Sequence, residues 1–167
     1  MKKIIAFIIT VIFLYTAQAQ TTYILIRHAE KDTTANDATT MYANPPLSKQ
    51  GMERAENLVT ALKNYSIDDI YATNFIRTQQ TVTPLAKKYR KEIISYDYKK
   101  LSAFADELLL QNNKTIVIAG HNTTTPALVN LLIKQQKFTA LPESVYNKIF
   151  IVSIAANKEA TVQVVEY

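Results

Sequence analysis

The chain has 167 residues, two histidines, no cysteine and a formal net charge of +5. That length suits one domain around a single core, and the lack of cysteine excludes disulfides, thiolate metal centres and a cysteine nucleophile. The basic excess is mild, well short of a nucleic-acid-binding signature, so no nucleic-acid partner is expected.

Lys2 and Lys3 precede an apolar run from Ile4 to Leu14, and Ala17-Gln18-Ala19 then supplies a small-x-small pattern. This reads as a secretory signal peptide over residues 1–19, cut after Ala19, with an uncleaved anchor as the alternative. The run is shorter than the roughly 20 residues of a membrane span, so no stable membrane insertion is expected after cleavage. Residues 20–167 are then one domain, periplasmic or secreted. No cysteine follows the run, which excludes a lipid anchor there.

Tyr23 to Ile26 has the β-branched and aromatic content of a buried strand, and it ends abruptly in Arg27-His28-Ala29-Glu30-Lys31. A polar, aperiodic loop follows from Asp32 to Pro46, long enough to form a pocket wall. Ser48 reads as an N-cap. Gly51, Ala55, Leu58, Val59 and Leu62 then form a helical stripe, with Glu53, Arg54, Glu56 and Lys63 facing solvent. Glycine at position 51 implies close packing beneath it. Ile67 to Ala72 is a second strand, running through Thr73 to Thr81 into helix as far as about Arg90, with Pro84 out of place unless the helix starts near it. Ile93 to Tyr96 is a third strand, followed by Asp97. A helix then carries Leu101, Phe104, Ala105, Leu108 and Leu109 on one face. Thr115 to Ala119 is the clearest core strand and stops at Gly120-His121-Asn122. Thr125 caps the next helix, with Pro126 at its favoured first position. Lys148 to Ala155 and Thr161 to Glu166 form a hairpin at the sheet edge. The alternation predicts an α/β fold of three layers: a mostly parallel central sheet, helices on both faces and a C-terminal β-hairpin.

Both histidines therefore follow predicted strands, as do Arg27 and Arg77. In a parallel sheet such ends share one edge, outside which ligands bind. Two histidines without a third ligand make a poor zinc site, so neither a metal nor another cofactor is expected. Two arginines beside them suit a phosphate, because guanidinium forks match phosphoryl oxygens.

Four segments carry a family resemblance. Arg27-His28-Ala29-Glu30 resembles the Arg-His-x-Glu signature of the histidine phosphatase superfamily, in its phosphoglycerate-mutase-like branch. Leu47-Ser48-Lys49-Gln50-Gly51 is similar to the family's Leu-Thr-x-x-Gly helix start. Arg77-Thr78-Gln79-Gln80-Thr81 resembles its Arg-Ala-x-Gln-Thr element, with threonine for the usual alanine. Gly120-His121 resembles its second-histidine motif. The resemblance implies a metal-independent phosphomonoesterase in which His28 attacks phosphorus and forms a phosphohistidine. Arg27, Arg77 and a protonated His121 would hold the phosphoryl oxygens. Small secreted proteins of this type suggest a small-molecule or sugar phosphate of the cell envelope as substrate.

The proton donor for the leaving group is the least determined residue. Asp97 is the first choice, with Glu30, Asp106 and Glu143 behind it; Asp106 is expected on a solvated helix face, and Glu30 in a salt bridge that orients the pocket. Asn122 and Thr123 offer donors to phosphate or cap a helix. Tyr42, Phe75, Tyr96 and Tyr98 are candidate pocket walls or core. The rival readings are a non-catalytic phosphate-binding module and a phosphohistidine protein phosphatase. Oligomeric state is not legible.

Overall fold

The computed structural model describes residues 20–34 and 44–167. The expected signal peptide, Tyr42 and most of the loop after Asp32 lie outside the described residues.

The elements run β1 (Gln20–Arg27), α1 (Lys49–Ala61), β2 (Asp69–Thr73), α2 (Ile76–Tyr89), β3 (Ile93–Tyr96), α3 (Leu101–Leu109), β4 (Thr115–Gly120), α4 (Thr124–Ile133), β5 (Lys148–Ala155) and β6 (Ala160–Glu166). A 3₁₀ turn, Tyr98–Lys100, joins β3 to α3. The six strands form one sheet in the order β3-β2-β4-β1-β5-β6. Its first four members are mutually parallel; β5 returns antiparallel to β1, and β6 closes the edge as a hairpin with β5.

Side chains alternate across a strand, and β1 shows what that does. Tyr23 and Leu25 point into a core shared with Phe104, Leu108, Leu128 and Leu132, so α3 and α4 cover that face. Ile24 and Ile26 point into the opposite core with Leu58, Leu62, Val82 and Leu85, so α1 and α2 cover the other. A strand buried on both faces reads as a continuous apolar run rather than an alternation, which is the pattern from Tyr23 to Ile26. Each such Ile or Leu contributes about 1.5–3 kcal/mol by leaving water.

Two helices differ from expectation. α2 begins at Ile76 and holds Pro84 well inside it. The ring removes one amide from the ladder, while burial of Val82, Leu85 and Ala86 on both sides keeps the helix continuous. α4 begins at Thr124 with Thr123 as its N-cap, which puts Pro126 third rather than first. Its missing N–H still falls among the amides that lack an intrahelical acceptor.

Candidate active site

The site is built where β1 and β4 end side by side. They are paired in register up to Arg27 opposite Gly120, and the His28 amide donates to the Gly120 carbonyl at 2.9 Å. His28 and His121 are thus the first residues past one rung of the sheet, and their rings meet edge-on with centroids 5.4 Å apart.

The turn after His28 is held from below by α1 and α2. Thr81 Oγ accepts the Ala29 amide at 2.9 Å, Gln80 accepts the Leu47 amide at 2.7 Å, and the Ser48 amide donates to the Glu30 carbonyl. A Cβ on Gly51 would lie 2.2 Å from that same carbonyl oxygen, so glycine lets α1 reach the turn. The start of α2 is capped across space, its Ile76 amide donating to Asn44 at 2.7 Å.

His28 is 4% exposed. Its Nδ1 lies 2.7 Å from the Ala29 carbonyl oxygen. A carbonyl only accepts, so Nδ1 carries the proton and Nε2 keeps its lone pair. Burial first, then the positive charge of Arg77, His121 and Arg27, lowers its pKa to about 3. The ring is therefore a neutral imidazole with a free nucleophilic nitrogen across the physiological range. Burial followed by the charges of Arg77 and Arg27 also brings His121 down to about 4. In the unliganded protein the His121 ring is therefore neutral at pH 7.

Arg27 is 1% exposed and is gripped by the segment before β5. Its Nη1 donates to the carbonyls of Pro142, Glu143 and Val145 at 2.9–3.0 Å, its Nη2 pairs with Glu143 at 2.7 Å, and its guanidinium lies over the Tyr146 ring. The buried Nε–H has no hydrogen-bond partner among the described residues. So the Nη1 side of Arg27 is committed to the clamp, while its Nε–H and the second Nη2 hydrogen stay on the other side for ligand oxygens. Arg77 sits at the start of α2 with its guanidinium 4.5 Å from the Phe75 ring centre, and burial lowers its pKa.

The carboxylates are distributed differently from expectation. Asp97 is exposed and turned onto its own 3₁₀ turn, accepting the Lys99 amide at 2.9 Å. A short side chain at the head of a turn satisfies the nearest orphan amide, and Asp97 also lines the groove beside Phe75 and Tyr98. Asp106 is on the exposed face of α3. Glu30 is not turned to a ligand: both its oxygens accept from Arg54, at 2.7–2.9 Å. Arg54 thereby departs from the solvated face expected for it. The carboxylate beside Arg27 is Glu143, whose other oxygen accepts from Asn122 at 2.8 Å. Asn122 therefore holds Glu143 through its amide group. Phe75 and Tyr98 stand edge-on to His121, and Tyr146 tilts against His28, so the rim is aromatic. Tyr96 belongs to the core, stacked on Phe104. Among the described residues no three His, Asp or Glu side chains gather as a metal site.

A family model described as the histidine phosphatase superfamily (branch 1) matches residues 23–99, the stretch that holds His28 and Arg77. The match spans just under half of the chain, and over that stretch the chain is similar to the histidine phosphatase superfamily. Over 59 residues it is 36% identical to a 2,3-bisphosphoglycerate-dependent phosphoglycerate mutase of Methanosarcina mazei, covering 35% of this chain and 24% of that protein, so the match spans about a quarter of the mutase. In fold, the chain is similar to the alpha-ribazole phosphatase from Shigella flexneri (TM-score 0.65, 17% identity, 87% of this chain and 96% of that one). It is equally similar to the protein histidine phosphatase SixA complexed with tungstate (TM-score 0.65, 18% identity, 87% and 96%). At these identities the likeness is one of fold: the phosphoglycerate-mutase-like sheet with its flanking helices.

Tyr146 and the carbonyls of residues 142–145 are the site components that sequence reasoning missed. They lie in an aperiodic segment more than a hundred residues from Arg27. The cluster Pro142-Glu143-Ser144 before a strand signals a turn, but nothing in it signals an arginine clamp.

Proposed function

We propose that the protein is a phosphatase in which His28 is the nucleophile. The observation that carries this reading is the Nδ1–H bond of His28 to the Ala29 carbonyl, which leaves Nε2 as a lone pair between His121 and the arginines. In the proposed first step Nε2 attacks phosphorus in line, the N–P bond forms and the P–O bond to the leaving group breaks. Arg77, the Nε–H of Arg27 and His121 stabilise the charge spread over the phosphoryl oxygens. Water then attacks the phosphohistidine, inorganic phosphate leaves and the His28 lone pair is restored. The substrate we propose is a small or sugar phosphate, met outside the cytoplasm if residues 1–19 act as a signal peptide. The Lys2-Lys3 head, the apolar run and the Ala17-Gln18-Ala19 pattern support export.

A second reading, a phosphohistidine protein phosphatase, is favoured by the carboxylates. Glu143 accepts hydrogen bonds on both oxygens, from Arg27 and Asn122, and is held by them. Asp97 is engaged on its own turn. Among the described residues, carboxylates engaged in this way favour leaving groups that need little protonation, and the imidazole of a phosphohistidine is one. A groove of about 450 Å³ lined by Phe75, Tyr98 and Asp97 gives such a planar group room.

The test is phosphate release by the purified chain from an aryl phosphate, an alkyl phosphate and a phosphohistidine peptide, each beside His28→Ala. Turnover that vanishes in the variant, with an acid-labile phosphoryl group trapped on the wild type, is the expected result. Preference for the peptide over the alkyl ester selects the second reading. Phosphate binding without turnover of any substrate overturns the catalytic reading in favour of a phospholigand-binding module.

A further inference from the structure

His121 is held by two buried threonines whose hydroxyl protons can be assigned by elimination. Thr78 Oγ lies 2.8 Å from the carbonyl oxygens of both Thr73 and Phe75. Carbonyls cannot donate, so the single hydroxyl proton of Thr78 is committed to them. Thr78 Oγ is also 2.9 Å from Thr73 Oγ. With the Thr78 proton already used, that contact has a proton only if Thr73 donates it. Thr73 Oγ is in turn 3.0 Å from His121 Nε2. Having given its own proton to Thr78, Thr73 can only accept here, so Nε2 carries the imidazole proton. Both threonines are fully buried, and water cannot substitute for any link.

We infer that Thr78, acting through Thr73, is a positioning residue that fixes the His121 proton on Nε2 and leaves Nδ1 as the nitrogen that must meet the substrate oxyanion. The assignment concerns the resting protein; its consequence for substrate rests on the phosphatase reading above. A lone pair facing an oxyanion is repulsive, so a phosphoryl dianion binds only together with a proton on Nδ1. The site therefore takes its substrate as the monoanion, or as the dianion plus one proton from solvent. The groups around His121 act in the same direction. His28 presents a neutral ring, and burial, then the charges of Arg77 and Arg27, keep His121 unprotonated until the anion arrives; Tyr98 and Phe75 close the remaining sides.

Two measurements test this on the intact protein. Nitrogen NMR of the unliganded chain reports which ring nitrogen of each histidine is protonated, with Nδ1 of His28 and Nε2 of His121 expected. Calorimetry of tungstate binding at pH 8, in buffers of different ionisation enthalpy, reports proton uptake, and about one proton per tungstate is expected. In Thr78→Ala the Thr73 hydroxyl is released to donate to Nε2, so the His121 proton shifts toward Nδ1 and the uptake falls. Thr78→Ser keeps the hydroxyl and restores the wild-type values. A wild-type His121 protonated on Nδ1, an uptake of no protons, or an unchanged uptake in a folded Thr78→Ala overturns the inference. The NMR result is independent of turnover, so it separates failure of this assignment from failure of the phosphatase reading.

Discussion

The burial that keeps His28 neutral has a cost that appears as acid sensitivity. In the unfolded chain a histidine binds its proton below about 6.5, whereas in the fold this ring resists protonation until about 3. Between those values the unfolded state holds more protons, so stability rises with pH across the window and is lost as pH falls. With His28 only 4% exposed, solvent screening is slight. Taking about 1.4 kcal/mol per unit, the loss attributable to His28 between pH 7 and pH 4 is about 3 kcal/mol. His28→Asn removes the titration, and its side-chain amide is long enough to replace the N–H given to Ala29. Urea denaturation of both proteins at pH 7 and pH 4 isolates the effect, because the Glu30–Arg54 pair, whose carboxylate is depressed, weakens equally in each. The wild type is expected to lose about 3 kcal/mol more than the variant. Equal losses would falsify the claim that the nucleophile is held neutral by its surroundings.

Three further substitutions bear on how the site is held. Gly51→Ala puts a methyl carbon 2.2 Å from the Glu30 carbonyl oxygen, and the shift it forces should cost about 1–3 kcal/mol, read as a lower urea midpoint. Arg27→Lys keeps the charge but lacks the fork, leaving carbonyls of Pro142, Glu143 and Val145 without their donor. A loss of about 2–3 kcal/mol is expected, and a melting temperature within a degree of wild type would contradict the clamp. Asp97→Ala removes one turn cap, so kcat/KM for an aryl phosphate should change less than twofold, with stability down by at most about 1 kcal/mol; a collapse of kcat would return Asp97 to the chemistry.

Most of the fold was legible because its elements are specified locally. Tyr23 to Ile26 and Thr115 to Ala119 are short apolar runs bounded by polar residues, and β5 was placed with the bounds it has. The convergence of His28 and His121 followed from the rule that parallel strands end on one side. What could not be read was decided by contacts between distant segments. Arg54 lies on a helix face that periodicity assigns to solvent, yet Glu30 meets it across 24 residues. Glu143 was one carboxylate among four candidates until the chain returned it to Arg27 across 116 residues. Asp97 was favoured by its position after a strand; β3 is the edge strand, yet the next residue, Tyr98, reaches the His121 ring, and what the sequence does not contain is the turn of the Asp97 carboxylate onto the Lys99 amide. Strand order is a non-local property that no window of sequence contains.

The register of β1 against β4 has a consequence for how the protein comes into being. Tyr23 pairs with Ile116 and Arg27 with Gly120, so His28 and His121 are joined only by closing a loop of roughly ninety residues, a slow kind of contact to form. During synthesis the chain emerges N-terminus first. His28 is therefore present long before Thr115–Gly120 exists to shield it, and until then it is an ordinary solvated imidazole without pocket or partner. The environment that keeps its ring neutral is completed in a single late event, the docking of β4, so on the proposed mechanism a chain truncated before Gly120 lacks a working site however well its first two helices form.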